Sequence, residues 1–273
     1  MKEIINVFVG VVLFVAGTWF LNNRPDIKDS VRDAGLGVLF AAGTSLLVLA
    51  WESKQYLRVL IQSYIKPTKA VRVSMAYLFR IEVDGQFLLV RNHKNPLRGY
   101  QPVGGVYKYL KRETASLFQE LGIAVDIRPG IGVDDDSRND LRCKINERRH
   151  LPAFLRWFDA KRDRETDPWR EFYEELIVEG LLKQEDFPYI QYCHFKSDYE
   201  GIKSPDAFPI DEFLYADIIE LKPENSKQID ELKRLFVQRS LNDIYTFATP
   251  EEIRSGSTST GITILPHAKK ILC

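Results

Sequence analysis

Two long apolar runs dominate the start of the chain. Ile4 to Leu21 is polar only at Asn6 and Thr18, and Ala34 to Trp51 only at Thr44 and Ser45. Roughly 18 residues at about 1.5 Å each give a helix of about 27 Å, near the hydrocarbon thickness of a bilayer, so the pattern predicts two transmembrane helices. A signal peptide fits the first run poorly: the run is long, Lys2 sits beside Glu3, and no small-x-small cleavage site follows. Between the runs, Asn22 to Asp33 sets Arg24, Lys28 and Arg32 against Asp26, Asp29 and Asp33, which makes a polar turn and a helical hairpin. Lys2, Lys54, Arg58, Lys66 and Lys69 outnumber the cations of that turn, placing both ends on the cytoplasmic side of a two-pass inner-membrane topology. Trp19 and Trp51 lie near segment ends, where indole rings favour the interface. Ala34, Gly37, Ala41 and Ser45 form a stripe of small residues that suits close helix contact, within the hairpin or in a homo-oligomer.

The pattern then turns amphipathic. Tyr56, Leu57, Leu60, Ile61 and Tyr64 share a stripe from Glu52 to Tyr64, which predicts a juxtamembrane helix broken at Ile65-Lys66-Pro67-Thr68. The expected organisation is a hairpin at 1–51, an amphipathic linker at 52–66, and one domain at 67–273, where about 200 residues suffice for a substantial core.

Within that domain the period changes repeatedly between strand and helix, so the expected class is α+β. Val71 to Ile81 and Gln86 to Asn92 read as strands joined into a hairpin by Val83-Asp84-Gly85. Further strands are expected at Ile123 to Ile127, Leu141 to Ile145, Tyr189 to Phe195 and Glu212 to Leu221. Helices are expected at about 112 to 121, at Asp167 to Leu176 and at Ser226 to Val237, the last with Ile229, Leu232, Leu235 and Phe236 inward. Leu151 to Phe158 is read as core and Asp159 to Arg164 as a solvated connection. Thr249-Pro250-Glu251-Glu252 is a capping box, and Ile262 to Cys273 is expected to dock back on the domain.

The helix at Asp167 to Leu176 carries the most chemistry. Asp167 suits the N-cap and Pro168 the first turn. Trp169, Phe172, Tyr173 and Leu176 form an apolar stripe, while Glu171, Glu174 and Glu175 gather on the opposite side. Two readings stand for those carboxylates: a solvated face, or oxygen ligands for a hard cation such as Mg2+. Gly104-Gly105 would let backbone approach a phosphate or another backbone closely. Tyr107, Arg148 and Arg149 are aromatic and guanidinium groups of the kind that stack on bases and hold phosphates.

Lysine plus arginine and aspartate plus glutamate both number 38, so no basic excess argues for long nucleic acid. The 3 cysteines are too few and scattered for a disulfide framework or a zinc site. The histidines share no motif spacing, and Asp134-Asp135-Asp136 reads as a solvated loop.

Arg170-Glu171-Phe172-Tyr173-Glu174-Glu175 resembles the core of the Nudix box. Leu88-Leu89-Val90-Arg91 followed by Gln101-Pro102-Val103-Gly104-Gly105 resembles the strand and glycine pair that open it. Lys111 replaces the glutamate that should follow the glycines, Ile177 replaces a glycine, and some 60 residues intervene. A rival placement runs straight on from the glycines to Gln119-Glu120-Leu121-Gly122-Ile123 and loses most of the carboxylates, with Ala115 and Ser116 in place of arginine and glutamate. Both placements stand at this stage.

A membrane hairpin joined to such a domain is similar to the membrane effectors with a SMODS-associated NUDIX domain of bacterial CBASS antiphage systems. That resemblance implies an α/β/α sandwich and a cyclic oligonucleotide second messenger as partner, together with membrane lipid. It implies ligand contact by Arg91, Gly104, Gly105, Tyr107, Arg148 and Arg149, and metal binding by Glu171, Glu174 and Glu175 if retained. No catalytic residue is assigned, because the damaged signature favours binding over hydrolysis.

Overall fold

The computed structural model describes residues 15, 31, 33–38, 54–92, 99–125, 139–205, 209–239 and 243–272. The two apolar runs lie outside the described residues apart from Val15 and 34–38, as do the loop at 93–98 and the aspartates at 134–136. Among the described residues no helix is long and apolar enough to cross a membrane. The chain divides into two compact units, Met1–Ile61 and Gln62–Cys273.

Helix α1 (Lys54–Ile65) ends at the expected break. Val59 and Ser63 are buried, whereas Leu57, Ile61 and Tyr64 are exposed.

The second unit is built on β1 (Val71–Arg80), whose residues alternate between two cores. After it come β2 (Glu82–Val83), β3 (Gln86–Arg91), β4 (Tyr100–Gln101), β5 (Gly104–Val106), α2 (Lys111–Glu120), β6 (Ile123–Val125) and β7 (Arg142–Ile145). A 3-10 turn, Arg148–His150, leads into α3 (Leu151–Asp159), and α4 (Trp169–Phe172) continues as a π-helix, Tyr173–Val178. The chain ends with β8 (Tyr192–Lys203), β9 (Asp211–Leu221), α5 (Ser226–Gln238), β10 (Tyr245–Ala248), α6 (Pro250–Ser255) and a 3-10 segment, Pro266–Ile271.

The larger sheet has the order β6-β7-β1-β9-β8, with β5 also paired to β1. One edge of β1 is shared: β7 takes Val71 to Ser74 and β5 takes Ala76 to Leu78. That sharing sets the glycine pair just beyond the end of β7. The other edge of β1 runs parallel to β9, with Arg72 opposite Glu212 and Arg80 opposite Glu220. Both register pairs are ion pairs with N to O distances of 2.5 Å.

The smaller sheet, β10-β3-β2 with β4 on β3, covers one face of the larger. Leu78, Phe87, Leu89, Tyr100, Ala216 and Ile218 meet Ile264, Ala268, Ile271 and Leu272 in that core, so the C-terminal segment docks as expected. The expected hairpin is only half right. The Asp84-Gly85 turn joins β2 to β3, while β1 passes into the other sheet, because its side chains are buried on both faces and demand two partners. Other corrections concern exposure. Ile229 of α5 is 41% exposed rather than inward, since Gln228, Glu231, Leu232 and Leu235 form the buried face.

Candidate functional site

The glycine pair is required by what lies against it. Gly104 has φ +146°, and a Cβ there would strike the Tyr77 carbonyl and come within 2.9 Å of Leu78 Cα. At Gly105 a Cβ would overlap the Glu171 carboxylate and sit 2.8 Å from its Cγ. The pair is thus wedged between β1 and α4.

α4 is held in that position by its apolar face. The Trp169 N–H donates to Asp167 Oδ1 at 3.0 Å, although Pro168 rather than the expected Asp167 holds the N-cap position. Phe172 and Leu176 are fully buried, and the Phe172 ring packs at 5.6 Å on both Phe79 and Phe187. Clamped this way, α4 aims Glu171 and Glu175 at β5 rather than at water. The Gly104 N–H donates to Glu175 Oε2 at 2.9 Å across 71 residues of sequence. The continuation of α4 as a π-helix, a wide turn that recurs at functional sites, contains Glu174 and Glu175.

Arg170 closes the arrangement. Its guanidinium donates to Glu165 Oε1 at 2.9 Å, to Glu171 Oε1 at 2.5 Å, to Glu174 Oε2 at 3.3 Å and to the Val106 carbonyl at 3.1 Å. Glu165 also accepts the Lys108 N–H at 3.1 Å. Burial pushes the Glu175 carboxyl up to about 8, opposed by the Gly104 hydrogen bond and reinforced by Glu171, Glu174 and Glu179. Burial also raises Glu171, opposed by Arg170. The Tyr77 hydroxyl is buried beside these groups and held well above its usual range, first by burial and then by Glu165.

These glutamates do not fit a shared metal as they are arranged. Glu171 is paired with Arg170, Glu175 is bonded to the Gly104 amide, and only Glu174 is turned outward. Among the described residues no three acidic, histidine or cysteine side chains converge on one point.

The other residues singled out from sequence are placed elsewhere or held inside. Arg91 lies in the smaller sheet, donating to the Asp243 carbonyl at 2.8 Å and covering the Tyr100 ring at 5.5 Å. Arg148 is buried in an ion pair with Asp211, and Arg149 is half-exposed and paired with Glu147 at 2.6 Å. Tyr107 is buried next to Tyr77, with ring centroids 4.7 Å apart, and donates to Asp217 Oδ2 at 2.8 Å. The rival helix, α2, belongs to the segment inserted between β5 and α4. Its Gln119 and Glu120 are exposed, and Leu121-Gly122 is the turn into β6.

Three features were not singled out in the sequence. Glu165 is the two-oxygen partner of Arg170. Arg164, read as part of a solvated connection, is 8% exposed, with its guanidinium 3.7 Å from the Phe158 centroid and 4.8 Å from that of Tyr107. Asp217 collects hydroxyl hydrogens from Tyr107, Tyr215 and Ser197, and His194 Nε2 lies 2.9 Å from Ser197 Oγ. Strand alternation was the available signal for Asp217, since it falls on the same face as Phe213 and Tyr215.

The arrangement therefore joins the glycine pair and the glutamate-rich helix across a long insertion. A search of the curated proteins found no match. A family model described as the SMODS-associated NUDIX domain matches residues 70–272, taking in both sheets, the insertion and the C-terminal segment, and the chain belongs to that family.

Proposed function

We propose that this chain is a membrane-anchored effector of a bacterial cyclic-oligonucleotide antiphage system, in which the NUDIX domain binds the signal and the apolar hairpin disrupts the membrane. The supporting observation is the state of the box. Its glycine-to-helix geometry is kept, but Glu171 and Glu175 are turned inward onto Arg170 and the Gly104 amide. Nudix domains generally use divalent metals, and a box whose glutamates are spent on internal contacts suits ligand binding better than metal-dependent hydrolysis. Family membership supports the link to a cyclic-oligonucleotide signal. The two apolar runs support the anchor and its cytoplasmic orientation.

Coupling requires the ligand to bind one assembly state more tightly than another, since equal affinity shifts nothing. The small residues Ala34, Gly37 and Ala41 are the proposed contacts between hairpins in that assembly. The test is calorimetric titration of the full-length protein in detergent with a panel of cyclic di- and trinucleotides, followed by chromatography of the products. Saturable binding with the ligand recovered intact supports the sensor; no binding across the panel removes it.

One observation favours a second reading, a membrane-anchored, metal-dependent Nudix hydrolase of a nucleoside diphosphate derivative. A carboxyl at about 8 is poised to exchange a proton near neutral pH, as Glu175 would in general acid or base catalysis. Product formation abolished by Glu175→Gln and by Glu174→Gln would shift the assignment to the hydrolase.

A further inference from the structure

The exposed face of α1 has a consequence for how the domain meets the bilayer. Leu57, Ile61, Tyr64 and Ile65 are 39%, 60%, 61% and 66% exposed. At 100° per residue they occupy about a quarter of the helix circumference, opposite the buried Val59 and Ser63. Four large apolar side chains on one face of a twelve-residue helix are an interaction surface rather than a scatter of surface residues.

The last turn of α1 is tied to the rest of its own unit, Gln62–Cys273. Gln62 donates its amide to the Ile202 carbonyl at 3.3 Å and accepts the Ile202 N–H at 2.8 Å. This side chain imitates one step of a β-ladder at a bulge of β8, where the register shifts between Tyr199 and Ile202. The Lys69 and Pro67 carbonyls accept the N–H groups of Arg148 and Arg149, tying the end of the helix to the domain. Rotation of that last turn, which carries Tyr64 and Ile65, would break the paired Gln62 bonds.

Two facts favour a membrane surface as what covers the stripe. The second apolar run ends at Trp51, with only two residues before α1 begins at Lys54, so a membrane that holds that run also lies beside α1. The helix contains no acidic residue, and Lys54 and Arg58 fall at one border of the stripe with Lys66 just beyond its end, all exposed. Apolar side chains bordered by cations match the acyl and headgroup layers of an anionic leaflet.

We propose that α1 lies in the membrane interface, with Leu57, Ile61, Tyr64 and Ile65 among the acyl chains and Lys54, Arg58 and Lys66 on anionic headgroups. The edge of β8 is thereby held against the bilayer surface through Gln62. This inference rests on the membrane-anchor reading above.

The test uses the full-length protein with Cys143→Ala, Cys193→Ser and Cys273→Ser, reconstituted in nanodiscs. Single cysteines at Ile61→Cys, Ile65→Cys, Val12→Cys and, as a control on α5, Lys233→Cys carry an environment-sensitive fluorophore. Nitroxide-labelled lipids act as quenchers. The proposal expects labels at 61 and 65 to be quenched several-fold more than the label at 233 in discs containing phosphatidylglycerol. Quenching should weaken in phosphatidylcholine alone and in a Lys54→Gln, Arg58→Gln variant. Quenching at 12 with none at 61 and 65 overturns the proposal and leaves the anchor intact. No quenching at 12 removes the anchor and the proposal together. Labels at 61 and 65 that are shielded equally in detergent and in discs, and that cross-link between protomers, assign the stripe to a second copy and also overturn it.

Discussion

Replacing Glu175 by glutamine tests whether the box has been turned inward, because it removes a titrating group while keeping its shape and its acceptor for the Gly104 N–H. The folded protein holds this carboxyl at about 8, against 4.5 for an unhindered glutamate. The group therefore binds its proton more tightly when folded. Its contribution to stability is fully present below pH 4.5 and is lost as pH rises through 8. At about 1.4 kcal/mol per pKa unit, the upper bound on the loss is about 5 kcal/mol. The assay is urea unfolding of the Gln62–Cys273 unit from pH 5 to pH 9, in wild type and Glu175→Gln. Wild type should lose stability relative to the variant as pH rises across that range. Parallel pH profiles would refute the reasoning, because they would mean that the carboxyl is ionised and solvated throughout.

Other substitutions probe the elements that assemble the site. Gly104→Ala forces a Cβ against the Tyr77 carbonyl at a backbone angle that disfavours L-residues, and should cost at least about 1–3 kcal/mol in unfolding free energy. Phe172→Ala empties a fully buried position between Phe79 and Phe187, and should lower stability by about 3–5 kcal/mol with ligand binding lost in parallel. Thr249→Ala removes the side-chain half of a reciprocal cap with Glu252, so thermal unfolding should register about 1 kcal/mol with no change in ligand affinity.

What could be read from the sequence was local, and what could not was the product of long-range packing. The capping box at Thr249, the Asp84-Gly85 turn and the helix at Ser226 follow from neighbouring residues, and each occurs where expected. The parallel pairing of β1 with β9 joins residues 140 apart, as in Arg72 with Glu212, and no local signal records it. The same limit applied to the site. Gly104 and Gly105 were conspicuous, as were Glu171, Glu174 and Glu175, but a continuous motif ending at Ile123 competed for the glycines until the fold brought Glu175 to the Gly104 amide. Arg148 looked like a ligand contact because a basic run is usually exposed; a single acid at the start of β9, Asp211, draws it inside. Arg164 departs from the solvated expectation for a related reason, since Tyr107, one of the two rings it covers, comes from a distant part of the chain.

The central claim of the proposal is that the NUDIX domain binds a cyclic oligonucleotide without a metal bridge and without turnover. The most direct measurement is calorimetric titration of the full-length protein with the tightest-binding member of the cyclic di- and trinucleotide panel, once with magnesium and once with a chelator. Equal affinity in the two titrations, with intact ligand recovered from both, is the predicted result. Binding that disappears with the chelator, or ligand recovered as cleaved product only when magnesium is present, would contradict the account and restore Glu171, Glu174 and Glu175 as a metal site.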